Sequence, residues 1–75
     1  MKYIDLNMIS QLKSILEKEI PGLKLHVHDT CGGQFFELEG SFDDINYGFE
    51  LIWDYFNERK IKIETDTTLN TFRAV

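Results

Sequence analysis

Leu23-Lys24-Leu25-His26-Val27-His28-Asp29, followed after Thr30-Cys31-Gly32-Gly33 by Gln34-Phe35-Phe36-Glu37-Leu38-Glu39, is the stretch that decides the fold. Its first part alternates strictly. Leu23, Leu25 and Val27 fall on one side, and Lys24, His26 and His28 on the other. Successive side chains of a strand point to opposite faces, so this pattern predicts a half-buried strand over residues 23–29. Residues 34–39 form a second strand. A four-residue loop over 30–33 pairs Val27 with Phe36 and Leu25 with Leu38 on the inner face. The same register sets His26 opposite Glu37, Lys24 opposite Glu39 and His28 opposite Phe35 on the outer face. Apolar meets apolar and basic meets acidic, which is what fixes a hairpin register. Gly32 and Gly33 supply the positive φ that such loops need.

Upstream of the hairpin, Leu6, Ile9, Leu12, Leu16 and Ile20 recur at three- and four-residue spacing. They predict an amphipathic helix over residues 5–20, with Asn7, Ser14 and Lys18 on its solvent side. Pro21-Gly22 stops it. Downstream, Gly40 ends the second strand, and Ser41 with Asp44 forms a variant capping box. The second helix runs to about residue 59 on a core stripe of Ile45, Phe49, Ile52 and Phe56. Leu51, Trp53 and Tyr55 widen its apolar arc to about 200°, more than a surface helix on one core needs. Gly48 inside this helix costs about 1 kcal/mol relative to Ala and marks a close backbone approach.

Ile61 and Ile63 then alternate with Lys62 and Glu64, and Phe72 alternates with Thr71 and Arg73. A loop over 66–69 pairs Ile63 with Phe72 and Ile61 with Ala74. It also sets Lys62 against Arg73, two like charges face to face. A shift of 36 residues lays Ile9 on Ile45, Leu16 on Ile52, Leu25 on Ile61, Val27 on Ile63 and Phe36 on Phe72. The expected architecture is therefore α+β in the order αββαββ. Two pseudo-repeat halves, about 1–40 and 41–75, share one domain, with two helices packed on one face of a four-stranded antiparallel sheet.

Size and composition agree with this. Seventy-five residues, 43% hydrophobic and 13% aromatic, make one globular core. Its stability is expected to be about 3–5 kcal/mol. One cysteine allows no internal disulfide and points to a reducing, cytoplasmic setting. No run approaches the roughly 20 apolar residues of a membrane span. Thirteen acidic residues against 8 basic give a net charge of −5, and the basic residues are scattered. Nucleic-acid binders carry a basic patch, so no nucleic-acid partner is expected.

The candidate site lies in and beside the first hairpin. His26 and His28 stand side by side on the outer face, with Glu37 across from His26 and Cys31 in the loop. Imidazoles at i and i+2 can share one metal ion, with zinc as the natural choice. The plainer reading is two surface histidines, one of them paired with Glu37. The chain has no set of four well-spaced ligands, so that reading is preferred and no cofactor is expected. Cys31, beside glycine amides and near His28, has some of the features of a reactive thiol. Asp29 opposes the thiolate, and most free cysteines are small packed residues. Gly32-Gly33 lacks the ending and the following helix of a phosphate loop.

The segment Leu25-His26-Val27-His28-Asp29-Thr30-Cys31-Gly32-Gly33-Gln34 resembles the RDAC family of small bacterial proteins, named for an Arg-Asp-Ala-Cys motif followed by Gly-Gly-Gln. Asp29, Cys31, Gly32, Gly33 and Gln34 match the motif, and His26 stands two residues before it. His28 replaces Arg and Thr30 replaces Ala. The resemblance implies the same plan of helix, hairpin, aromatic helix and short hairpin, and it transfers no activity. It also implies that a two-histidine metal site is not a family property. Asp29, Cys31, Gly32, Gly33, Gln34 and Phe35 become a structural lock or a shared contact surface. The expected function is a non-catalytic interaction or regulatory module that meets a protein partner or a second copy of itself. The alternative is a metal or thiol protein using His26, His28, Glu37 and Cys31.

Overall fold

The structure, a computed structural model, describes residues 3–30 and 32–75. The element order is α1 (Leu6–Glu19), β1 (Lys24–Thr30), β2 (Gly33–Glu39), α2 (Phe42–Glu58), β3 (Ile63–Asp66) and β4 (Thr71–Ala74). This is the expected αββαββ fold: two helices on one four-stranded antiparallel sheet, in the order β1-β2-β4-β3. Among the described residues no helix is long and apolar enough to cross a membrane.

The Asp5 side chain caps α1 by accepting from the Met8 amide at 2.8 Å. Ile9, Leu12 and Leu16 are buried as their spacing requires. Leu6 is not: it is 82% exposed, and Ile4, ahead of the helix, is buried at that end of the stripe. Gln34 explains the exchange. Its side chain holds the Ile4 backbone, which commits the chain's entry to Ile4 and leaves Leu6 on the first turn facing solvent.

The first hairpin has the expected register throughout, from Lys24↔Glu39 to Asp29↔Gln34. The ladder runs one pair further, to Thr30↔Gly33, so the connection is shorter than the four residues expected. Gly33 carries a positive φ, at 129°.

Ser41 caps α2, its hydroxyl accepting from the Asp44 amide at 3.2 Å, with Asp43 and Asp44 in the positive first turn. The wide arc of α2 has two uses. Ile45, Phe49, Ile52 and Phe56 are buried in the main core, while Tyr55 is buried toward α1. The Tyr55 hydroxyl donates to Gln11 Oε1 at 2.9 Å and approaches the Met8 carbonyl at 3.3 Å. Gly48 makes the close approach its position predicted: a Cβ there would lie 2.6 Å from Leu23 Cδ2.

The second hairpin corrects the sequence reading. Ile63 pairs with Ala74, Thr65 with Phe72 and Asp66 with Thr71, two residues out from the expected register. Glu64, not Lys62, stands opposite Arg73, and the two are linked at 3.0 Å. The turn occupies residues 67–70. Asp66 Oδ1 accepts from the Thr68 and Leu69 amides, and Asn70 takes a left-handed φ of 56°. A two-residue slip leaves every side chain on its own face, so the inner-face assignments survive while the charge clash disappears.

The halves meet along β2 and β4, through Phe36↔Phe72 and Glu37↔Thr71. Phe36 and Phe72 are the residues that the 36-residue shift superposes. They stack at 4.8 Å across this seam, with Phe49 and Phe56 around Phe72.

Candidate functional site

Both helices cover the inner face, which leaves the outer face of the sheet bare. The antiparallel registers line up its side chains in rows across the strands. His26, Glu37, Thr71 and Asp66 form one such row, each opposite the next. His28 and Phe35 are opposite each other in the neighbouring row, as are Arg73 and Glu64.

The two histidines do not pair straight across. His26 Nε2 hydrogen-bonds Glu39 Oε1 at 2.7 Å, and His28 Nε2 hydrogen-bonds Glu37 Oε1 at 3.1 Å. Both bonds run diagonally, to the glutamate two residues along β2 from the directly opposite position, as long side chains on a sheet can. The Glu39 carboxyl is held below its ordinary value by the hydrogen bond from His26, then by the charge of His26, with a smaller effect of Lys24. His28 also stacks on Phe35, ring centroids 4.6 Å apart and planes 11° from parallel. The stack and the carboxylate together fix the His28 ring, and Phe35 is half-buried as a result.

Each imidazole is thus engaged by its own glutamate. Among the described residues no three His, Cys, Asp or Glu side chains form a group that could hold a metal ion. Cys31, the fourth member of the expected set and the residue of the thiol reading, lies outside the described residues.

The expected contact segment divides between surface and interior. Asp29 and Gly32 are exposed and Phe35 is half-buried on the outer face. Gly33 is buried, and so is Gln34, at 6% exposure. Gln34 Oε1 accepts from the Ile4 amide at 2.7 Å, and Gln34 Nε2 donates to the Ile4 carbonyl at 3.2 Å. Its amide thereby locks the segment ahead of α1 to the start of β2.

Sequence reasoning missed the other half of the outer face: Asp66, Thr71, Arg73 and Glu64. The misplaced register of the second hairpin hid them, because it paired Arg73 with Lys62 and put Asp66 in the loop. Asn70 was the signal that could have placed the turn, since Asn tolerates the left-handed conformation that closes it.

Comparisons with protein-family models, with curated proteins and with solved structures return no match for this chain.

Proposed function

We propose that the chain is a non-catalytic interaction module that works as a homodimer, two copies meeting through their helix-free sheet faces. One observation carries this: the order of charge across that face. β1 presents Lys24, His26 and His28, β2 presents Glu37 and Glu39, β4 presents Arg73, and β3 presents Glu64 and Asp66. The sign alternates from strand to strand. A two-fold axis parallel to the strands lays β1 of one copy over β3 of the other, and β2 over β4. His26 then faces Asp66 and His28 faces Glu64 of the other copy, while Phe35 meets the Arg73 guanidinium. Such a self-complementary patch is what a two-fold interface requires, and opposed charge sets its register and association rate. Phe35, half-buried beside His28, supplies the apolar centre. The likeness to the RDAC proteins names no activity and leaves this reading where the charge order puts it.

The test is light scattering over a concentration series at low and high salt. A dimer that weakens with salt is expected. His26→Glu and Asp66→Lys should each weaken it, and a mixture of the two variants should form a mixed dimer, because each restores the charge the other lost. A chain that stays monomeric at millimolar concentration in low salt would sink the proposal.

A further inference from the structure

A second feature lies on the opposite side of the molecule, where α1 crosses α2. Here the helices leave a shallow groove of about 590 Å³. Asn7, Ser10, Gln11 and Ser14 of α1 line one wall, and Tyr55 of α2 with Arg59 just beyond it lines the other. The chain has 13 acidic residues, yet no Asp or Glu is among the described residues that line this groove.

Its donors are held in place and only partly used. The Arg59 guanidinium lies 3.6 Å over the Tyr55 ring, and its Nη1 donates to the Tyr55 carbonyl at 2.9 Å. Glu58 approaches the same Nη1 at 3.8 Å. The Nε and Nη2 donors of Arg59 meet no acceptor among the described residues. Gln11 is oriented by the Tyr55 hydroxyl, which occupies its Oε1 at 2.9 Å and so turns its NH2 group away. That NH2 likewise meets no acceptor among the described residues. A stacked guanidinium loses little freedom when it forms further bonds, and its planar fork matches an oxyanion. Two hydroxyls and a second amide stand alongside.

From this arrangement we infer that the groove binds the oxyanion group of a small molecule, a phosphate or a carboxylate, held by Arg59 and Gln11 with Asn7, Ser10 and Ser14 completing the shell. The site stands apart from the sheet face, so it does not depend on the dimer.

The experiment follows side-chain NH signals of Arg59, Gln11 and Asn7 by NMR. Inorganic phosphate and acetate are titrated separately, with sodium chloride at matched ionic strength as the control. Saturating shifts confined to this groove, with one or both oxyanions and not with chloride, are expected. Which probe saturates at lower concentration distinguishes phosphate from carboxylate. Arg59→Gln should weaken binding by about tenfold or more, because a charge-assisted bond is lost. Because that variant also loosens the end of α2, Ser14→Asp is the second test. It changes an exposed position and puts a carboxylate into the groove, so it should abolish binding while leaving the thermal midpoint near that of the parent. No saturation with either oxyanion, the same shifts with chloride, or binding unchanged in both variants would overturn the assignment.

Discussion

Gln34 closes both ends of its amide on the backbone of one residue, Ile4, thirty positions earlier in the chain: its oxygen takes the Ile4 N–H at 2.7 Å and its nitrogen gives to the Ile4 carbonyl at 3.2 Å. A side-chain amide here does what a neighbouring strand does, with both residues buried. The arrangement fastens the segment before α1 to the start of β2. Local sequence signals do not carry it, because a Gln at the first position of a strand reads as a polar end.

Gln34→Ala removes both partners at once and leaves a buried N–H and a buried C=O unsatisfied. The expected loss is about 2–3 kcal/mol, a large share of what a domain of this size has. Urea unfolding measures it. Gln34→Glu keeps the acceptor but sets a carboxylate against the Ile4 carbonyl, so it should also lose stability and regain part of it in acid. A Gln34→Ala variant within ~0.5 kcal/mol of the parent would mean that the lock does not hold.

Gly48 and Leu23 give a prediction in which two effects oppose each other. Alanine in a helix interior is favoured over glycine by about 1 kcal/mol. Against that, the new methyl would sit 2.6 Å from Leu23 Cδ2, and Leu23 is buried at 4% exposure. Overpacking costs about 1–3 kcal/mol, so Gly48→Ala should be destabilising on balance. In a Leu23→Ala background the obstacle is gone, and the same change should become stabilising. The reversal of sign in this double-mutant cycle is the measurement. A stabilised Gly48→Ala single variant would show that the Leu23 side chain turns aside at no cost.

The two hairpins show why one register was legible in the sequence and the other was not. In the first, seven cross-strand pairs all agree, and shifting by two residues would set Val27 against Leu38 but leave Leu25 without a partner. In the second, four pairs suffice, and both candidate registers bury Ile63, Phe72 and Ala74. Hydrophobic pattern cannot choose between them, because a two-residue slip keeps the faces. The choice rests on charge, Glu64 rather than Lys62 opposite Arg73, and on Asn70 entering the left-handed region. Likewise the diagonal His–Glu bonds depend on side-chain reach, which residue spacing does not specify. The position of His26, His28 and Glu37 on one face was readable; their division into two separate pairs was not.

Glu39 supplies the pH dependence. Its carboxyl is lowered by the hydrogen bond from His26 and by the imidazolium charge. A carboxyl with a lowered value in the folded state contributes stability above its unfolded value, and this is lost as pH falls through the folded value. The stability difference between the parent and Glu39→Gln should therefore be present just above the ordinary carboxylate range and close below it. Urea unfolding of both proteins across this range checks it. A difference independent of pH would mean that the pair does not form in solution.

Phe72 carries the join between the two αββ units. β2 and β4 share only two residue pairs, and the Leu38 amide adds one bond to the Asn70 carbonyl at 2.8 Å. So short a ladder holds weakly by backbone bonding alone. The seam instead depends on the stacked Phe36 and Phe72 rings, with Phe49 edge-on at 6.5 Å and Phe56 tilted at 6.2 Å. Phe72 is 2% exposed, so truncation leaves a cavity in the middle of the core. Phe72→Ala is expected to cost about 3–5 kcal/mol, which equals the total expected for this size and leaves the chain largely unfolded. Phe72→Leu retains most of the volume and should keep the fold with a lower midpoint. Circular dichroism separates the outcomes. If Phe72→Ala melted cooperatively near the parent's midpoint, the seam would have to be held by something other than these rings.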